Sequence, residues 1–258
     1  MPSAFTVPGP PLADFVELIW IYEGYAVPHA QERLMPTGTM DLVISLDQDN
    51  RSGSGLSGAR SEFAVLDTSL PFSIIGVRFK PGGGFPFFPF PAGEFQNLGA
   101  TLEDVWGGGA ALVREQLLEA VTADARLRIL ERTLRERLID RRPRHRAVRL
   151  ALKMFERVPY AQSIGAVIAQ VGLSERRFSE VFRNEVGLTP KLYSRVRRFQ
   201  RVLGSLETSV DIDWANVSLS CGYFDQAHFI HDFRAFAGMT PSAYVRGRTA
   251  RNHVRVHD

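Results

Sequence analysis

Between residues 172 and 246 the sequence places arginine, glutamate, glutamine and histidine on the polar side of two short helical patterns. In the first, Phe178, Val181 and Phe182 fall on one side, while Arg176, Ser179, Glu180 and Arg183 follow the i, i+3, i+4, i+7 spacing on the other. In the second, Gln226, Ala227, His228, Ile230 and His231 surround Phe229 and Phe233. These residue types match the edges of nucleic-acid bases. Arg176 suits guanine O6 and N7, Glu180 can accept from cytosine N4, Gln226 can pair with adenine, and Ala227 can meet a thymine methyl. Arg177, Arg183, Lys191, Arg195, Arg198 and Arg234 suit phosphate, and about six to ten such contacts make affinity fall steeply with salt. The alternative for such a charged face is simple solvation. His228 and His231 also form an H-x-x-H pair, but no third metal ligand is evident near them in the sequence.

The elements that must position these residues are duplicated. GLSERRFSEVFRNEVGLTPKLYSR, from Gly172 to Arg195, recurs as GYFDQAHFIHDFRAFAGMTPSAYVR, from Gly222 to Arg246. Phe178, Phe182, Arg183, Gly187, Thr189, Pro190 and Tyr193 return 51 residues later as Phe229, Phe233, Arg234, Gly238, Thr240, Pro241 and Tyr244. The leading glycines are only 50 apart, so the second copy carries one extra residue in its turn. Each unit reads as a short helix stopped by glycine, a turn, and a second helix capped by Ser174 or Asp225. That helix buries phenylalanines four apart and ends at Gly187 or Gly238, where Thr-Pro opens the next helix. This is a helix-turn-helix, whose second helix can enter the DNA major groove. A protein-binding helical repeat is the alternative, although solenoids usually stack three or more copies.

The units are joined by Pro190–Glu207, in which Leu192, Val196, Phe199, Val202, Leu203 and Leu206 keep a helical period. Eighteen helical residues span about 27 Å. Such a rod can hold two reading helices roughly one turn of duplex apart, ~34 Å. Trp214 is expected to pack the first helix of the second unit. Cys221 is expected to be a buried packing residue rather than a redox or methyl-accepting thiol.

At this point residues 148–247 resemble the DNA-binding domain of the AraC/XylS family of bacterial transcription regulators, most specifically through CGYFDQAHFIHDFRAFAGMTPSAYVR. The resemblance implies a module with two helix-turn-helix motifs that acts at promoters, usually beside a sensing or dimerisation domain. It also implies RNA polymerase as a partner if the protein activates. The sequence departs from the family at Ile168 and Ser218, where a small alanine is usual, and at Glu180, a position often basic in relatives. Arg33–Leu46 and Ile74–Phe88 (RLMPTGTMDLVISL and IIGVRFKPGGGFPFF) resemble the cupin-like N-terminal domain often joined to this module.

The first half has its own pattern. Phe15–Tyr22, Asp41–Leu46, Glu62–Leu66 and Phe72–Lys80 read as strands separated by Pro/Gly turns, and suggest a small barrel or sandwich. Asp47–Gly58 reads as a surface loop. Ala110–Val121 and Ala123–Ile139 read as helices that either cap the barrel or dimerise. Gly82–Pro91, rich in phenylalanine and proline, either closes the core or lines a pocket or dimer surface, with core closure preferred. His29 is the only histidine before residue 141, too few for a cupin-type metal site, and no nucleophile elbow or phosphate-binding loop is present.

Charge separates the halves. Residues 1–140 hold 11 Lys and Arg against 18 Asp and Glu, and residues 141–258 hold 20 against 10. A basic domain fits a polyanion, or is merely solvated. RRPRHR, Arg141–Arg146, reads as a solvated connector.

The expectation is therefore a two-domain α+β protein. A β-rich domain with helices spans 1–140, a linker 141–147, an all-α double helix-turn-helix domain 148–247 and a basic tail 248–258. No apolar run is long enough to span a membrane, the N-terminus lacks a signal pattern, and one cysteine forbids an internal disulfide, so a cytoplasmic protein is expected. No cofactor is implied. The expected partner is double-stranded DNA, with a small-molecule effector and a second copy of the chain as further candidates. The rival reading is a metal-dependent cupin-type enzyme with an accessory helical domain. A protein-interaction scaffold is the third.

Overall fold

The computed structural model describes residues 2–48, 53–138, 144–157, 164–207, 212–248 and 254–255. The expected linker at 141–147 and basic tail at 248–258 therefore lie partly outside the described residues.

The first half is built on antiparallel strands. These are β1 (Ala4–Thr6), β2 (Val16–Tyr25), β3 (Gln31–Leu34), β4 (Asp41–Ser45), β5 (Gly55–Ser57), β6 (Ala64–Asp67), β7 (Phe72–Phe79) and β8 (Gly99–Thr101). Six form one sheet in the order β1-β2-β7-β4-β5-β8. Its register aligns apolar rows across three strands. Ile19 faces Val77, which faces Leu42; Ile21 faces Ile75, which faces Ile44. All six are completely buried, as period-two alternation requires of a face turned to a core. β6 and β3 form a second sheet, completed by β9 (Val254–Arg255) from the far end of the chain.

Among the described residues the sheets are open, so of the expected barrel or sandwich the closed barrel is not formed. β1 and β8 stand at the two edges of the larger sheet. β1, β3, β5 and β8 were not anticipated, because three or four residues such as AFT or GLS carry too little alternation to be seen. β5 lies inside the stretch read as a loop. The Gly82–Pro91 segment closes the core, as preferred: Phe87 and Phe88 are buried with ring centroids 5.2 and 5.8 Å from Phe79.

Three helices follow: α1 (Leu102–Trp106), α2 (Gly109–Glu119) and α3 (Ala123–Arg137). α1 begins with a reciprocal capping box between Thr101 and Asp104. Leu127, Leu130 and Leu134 of α3 are buried at their four-residue and three-residue spacing. α3 packs on β1 and β2, so these helices cover the sheet.

The second half is helical: α4 (Arg146–Arg157), α5 (Ile164–Val171), α6 (Glu175–Val186), α7 (Pro190–Glu207), α8 (Trp214–Ser220), α9 (Gln226–Ala237) and α10 (Pro241–Gly247). The duplication seen in the sequence is a duplication of local chemistry. Ser174 accepts the Arg177 N–H and Asp225 accepts the His228 N–H. Gly187 and Gly238 end α6 and α9 in the left-handed region, at φ 93° and 66°. A side chain there would be strained, which explains glycine at both positions.

The aromatic packing repeats as well. Phe178 meets Phe182 at 5.6 Å and Phe229 meets Phe233 at 5.8 Å, both edge-on. Phe182 meets Tyr193 at 5.6 Å and Phe233 meets Tyr244 at 5.6 Å. All six rings are essentially inaccessible to solvent. Among the described residues no helix is long and apolar enough to cross a membrane.

Replacing Phe233 by alanine should cost about 3–5 kcal/mol, the usual range for a fully buried phenylalanine. The urea midpoint of the helical domain should fall accordingly.

Candidate nucleic-acid interface

The N-terminal turns of α6 and α9 are exposed. Arg176, Arg177 and Glu180 on α6 are exposed, and so are Gln226, Ala227, His231 and Arg234 on α9. Their buried counterparts, Phe178 and Phe182 or Phe229 and Phe233, hold the opposite side of each helix in the core. This arrangement follows from the amphipathic spacing: once the phenylalanines are fixed, residues two positions away, such as Arg176, Glu180, Ala227 and His231, lie on the opposite side and face solvent. Ser179 and His228 are half-buried, and Lys191 is exposed at the start of α7.

Several of the expected contact residues also have partners within the chain. Arg177 donates to Glu180 at 2.9 Å on the exposed face of α6. Arg183 is exposed but donates to the Gly93 carbonyl of the N-terminal domain at 3.1 Å. Arg195 on α7 donates to the Asp232 carboxylate on α9 at 2.7 Å and lies over the Phe236 ring. Arg198 lies 5.0 Å over the Tyr223 ring. These last two hold α7 against the second unit. His228 accepts the Phe224 N–H at its Nδ1, 3.5 Å away, and its Nε2 stands 3.7 Å from Asp232.

Asp232 was not singled out from the sequence, yet it is 2% exposed and joins two elements. Its signal was its position: an acidic residue on the phenylalanine side of an amphipathic helix, four residues after His228. Its neighbour Arg195 is half-buried and shares the site. Burial, followed by the nearby Asp232 charge, holds the Tyr223 phenol well above its ordinary pKa, so this ring is a neutral packing element.

Other expectations can be placed. Trp214 stacks on Phe229 at 5.9 Å, packing the first helix of the second unit as expected. Cys221 is 2% exposed, and burial raises its thiol pKa. Ser218, a departure from the family pattern, is buried and donates to the Ala215 carbonyl at 2.8 Å, so a small side chain still fills that place. In the first domain, His29 bonds Glu32 at 2.8 Å, and Glu32 also accepts the Tyr25 hydroxyl at 2.6 Å. Among the described residues there is no group of three His, Cys, Asp or Glu placed to hold a metal ion.

The N-terminal domain touches both units away from their exposed turns. Arg33 donates to the carbonyls of Ala237 and Gly238, placing a cation at the negative end of α9. The Phe63 N–H donates to the Phe236 carbonyl at 3.1 Å, and the Phe63 ring blocks the space beside Gly238. Ala59, on the same segment, fills the space beside Gly187. Gln200 of α7 donates to the Pro36 carbonyl. One short stretch of the first domain thus abuts the C-terminal ends of both α6 and α9.

Glu185, near the end of α6, is 5% exposed and accepts the His145 N–H at 2.8 Å. Burial raises its pKa, opposed by that hydrogen bond and by Arg144.

Two family models match parts of the chain. Residues 167–247 match a family model described as a helix-turn-helix domain, and residues 5–100 match one described as a domain of unknown function (DUF6597). No curated protein matches the chain. Among solved structures, the chain is similar to the DNA-binding domain of AdpA, a global transcriptional factor, in complex with a target DNA. There the identity is 24%, with 41% of this chain and 95% of that one covered and a TM-score of 0.37. It is similar to a probable AraC family transcriptional regulator from Rhodopseudomonas palustris CGA009, with 25% identity, 40% and 96% covered, and a TM-score of 0.35. ToxT from Vibrio cholerae O395 is similar over more of the chain, with 10% identity, 88% and 92% covered, and a TM-score of 0.44.

Two measurements test this electrostatic arrangement. Asp232→Ala leaves Arg195 without its carboxylate and should cost about 1–3 kcal/mol, seen as a lower urea midpoint. Glu185 is favoured in its protonated form on folding, so its contribution to stability declines as pH rises from the ordinary carboxylate range, about pH 4, towards neutrality. Glu185→Gln should flatten that decline, and denaturation midpoints measured across the range will show it.

Proposed function

We propose that this chain is a sequence-specific transcription regulator whose two reading helices, α6 and α9, enter adjacent major grooves on one face of a duplex. One observation carries the reading. Two units with side-chain caps at the same helix position, the same left-handed stops and the same ring geometry each leave the start of the second helix exposed, and one 18-residue helix joins them. The exposed sides of these helices offer Arg176, Glu180, Gln226 and His231, residue types that match base edges and phosphates.

Within this reading Arg176 and Gln226 read base edges, Ser179 and Glu180 assist in the first groove, and Ala227, His228 and His231 line the second. Arg177, Lys191 and Arg234 meet phosphates, while Arg183 acts first through its tie to the Gly93 carbonyl, with any phosphate contact secondary to that. Arg195 and Arg198 act mainly by setting the angle between α7 and α9, with any phosphate contact secondary to that. The domain division at 141–147 separates a sensing half from a reading half. A ligand or partner of the N-terminal domain acts through the contacts made by Arg33, Ala59 and Phe63, altering domain orientation or dimerisation.

Selection from a random-sequence duplex library at low salt should enrich two half-elements about ten base pairs apart. Arg176→Ala should weaken the selected site by about 1–3 kcal/mol and relax one base position, whereas Arg234→Ala should weaken all sequences alike and reduce the salt dependence. Failure of the intact protein to enrich any sequence would overturn the assignment.

A further inference from the structure

The turn of the second unit is one residue longer than that of the first, and the extra residue has a distinct environment. In the first unit Leu173 precedes the cap Ser174 and packs partly against the core. A hydrophobic residue just before a cap commonly packs on the residue four positions into the helix. In the second unit that covering role falls to Tyr223 instead. Tyr223 is 3% exposed and its ring lies 5.4 Å from Phe229, while Trp214 stacks on Phe229 as well. Phe224 stands between Tyr223 and the cap Asp225 and is 87% exposed.

Phe224 therefore has no core to cover, since Phe229 is already completely buried without it. Its backbone is nonetheless fixed. Its N–H donates to His228 Nδ1, and Asp225 beside it accepts the His228 N–H at 2.7 Å. An aromatic ring is thus held in solvent at the N-terminal end of α9, beside exposed Gln226 and Ala227. In a major groove the C5 methyl of thymine is the apolar group on the base edges, and phenylalanine and alanine are suited to meet it.

We propose that Phe224 is a further specificity-determining residue, an apolar contact to the C5 methyl group of thymine at the edge of the half-element read by α9. The proposal rests on the DNA-reading assignment above and adds to it a residue, a base and a chemical group. The longer turn makes the two half-elements unequal, since the first unit has no counterpart to this ring.

The test compares the intact wild-type chain with Phe224→Ala and Phe224→Leu, each selecting from the same random-sequence duplex library at low salt. Wild type should enrich a thymine at one position of one half-element. Phe224→Ala should lose that preference while the other half-element is unchanged, and Phe224→Leu should keep it. Deoxyuridine in place of that thymine removes only the methyl group and should weaken wild type about fourfold, the worth of one buried methyl, with no effect on Phe224→Ala. Equal selection and equal response to deoxyuridine in wild type and Phe224→Ala would overturn the inference while leaving DNA reading intact. Weakening by Phe224→Ala that is the same with thymine and deoxyuridine would place the ring on the sugar-phosphate backbone and overturn the methyl assignment. A lower thermal midpoint for Phe224→Ala would make the ring structural and overturn it too. If wild type enriches nothing, the failure is that of the DNA-reading assignment itself.

Discussion

The edge-on contact between the second phenylalanine of each reading helix and the tyrosine of the helix that follows is the constraint on which this molecule turns. Phe182 with Tyr193 and Phe233 with Tyr244 adopt the same separation in both units, in fully buried surroundings. Such pairs favour an edge-to-face geometry over free rotation, so each pins the roll of its helix about the helix axis. Roll decides which side chains face outward. With the phenylalanines turned in, the residues two positions away, Arg176, Glu180, Ala227 and His231 among them, have no alternative to solvent or a ligand.

The connection between the units rests on a different force. α7 serves as the last helix of the first unit, through Tyr193, and as a support for the second, through Phe199 against Phe233. Arg195 and Asp232 add a directional tie between α7 and α9. A buried carboxylate is costly without a donor, and this one has a guanidinium within hydrogen-bond distance. The first domain supplies a second restraint. The segment carrying Ala59 and Phe63 lies against the glycines that end α6 and α9, and β9 returns from the chain's far end to pair with β3. The reading ends of the helices are left clear because these contacts gather at the opposite ends.

Much of this was legible beforehand, for reasons that differ by element. The repeat, its caps at Ser174 and Asp225 and its stops at Gly187 and Gly238 depend on local chemistry, which neighbouring residues express directly. Long strands such as β2 and β7 showed through their β-prone runs, whereas β3, β5 and β8 owe their existence to partners distant in the chain. Of the barrel or sandwich expected from the strand pattern, the described residues form open sheets and not a closed barrel, since closure depends on edge pairing that no single strand encodes. The intrachain partners of Arg195 and Arg198 were not legible, because an arginine on a helix surface is the same residue type whether it meets a phosphate, a carboxylate or a ring.

The amino-acid sequence alone determined the two-unit plan, the apolar and polar sides of each helix and the division of charge between the halves, because periodicity and capping act over a few residues. Only the tertiary structure decided which arginines already have partners, that Asp232 is buried beneath them, that Phe224 stands free while Tyr223 covers the core, and that the first domain braces both units. Those outcomes depend on which distant surfaces exclude water from one another, a property that arises only once the chain has packed.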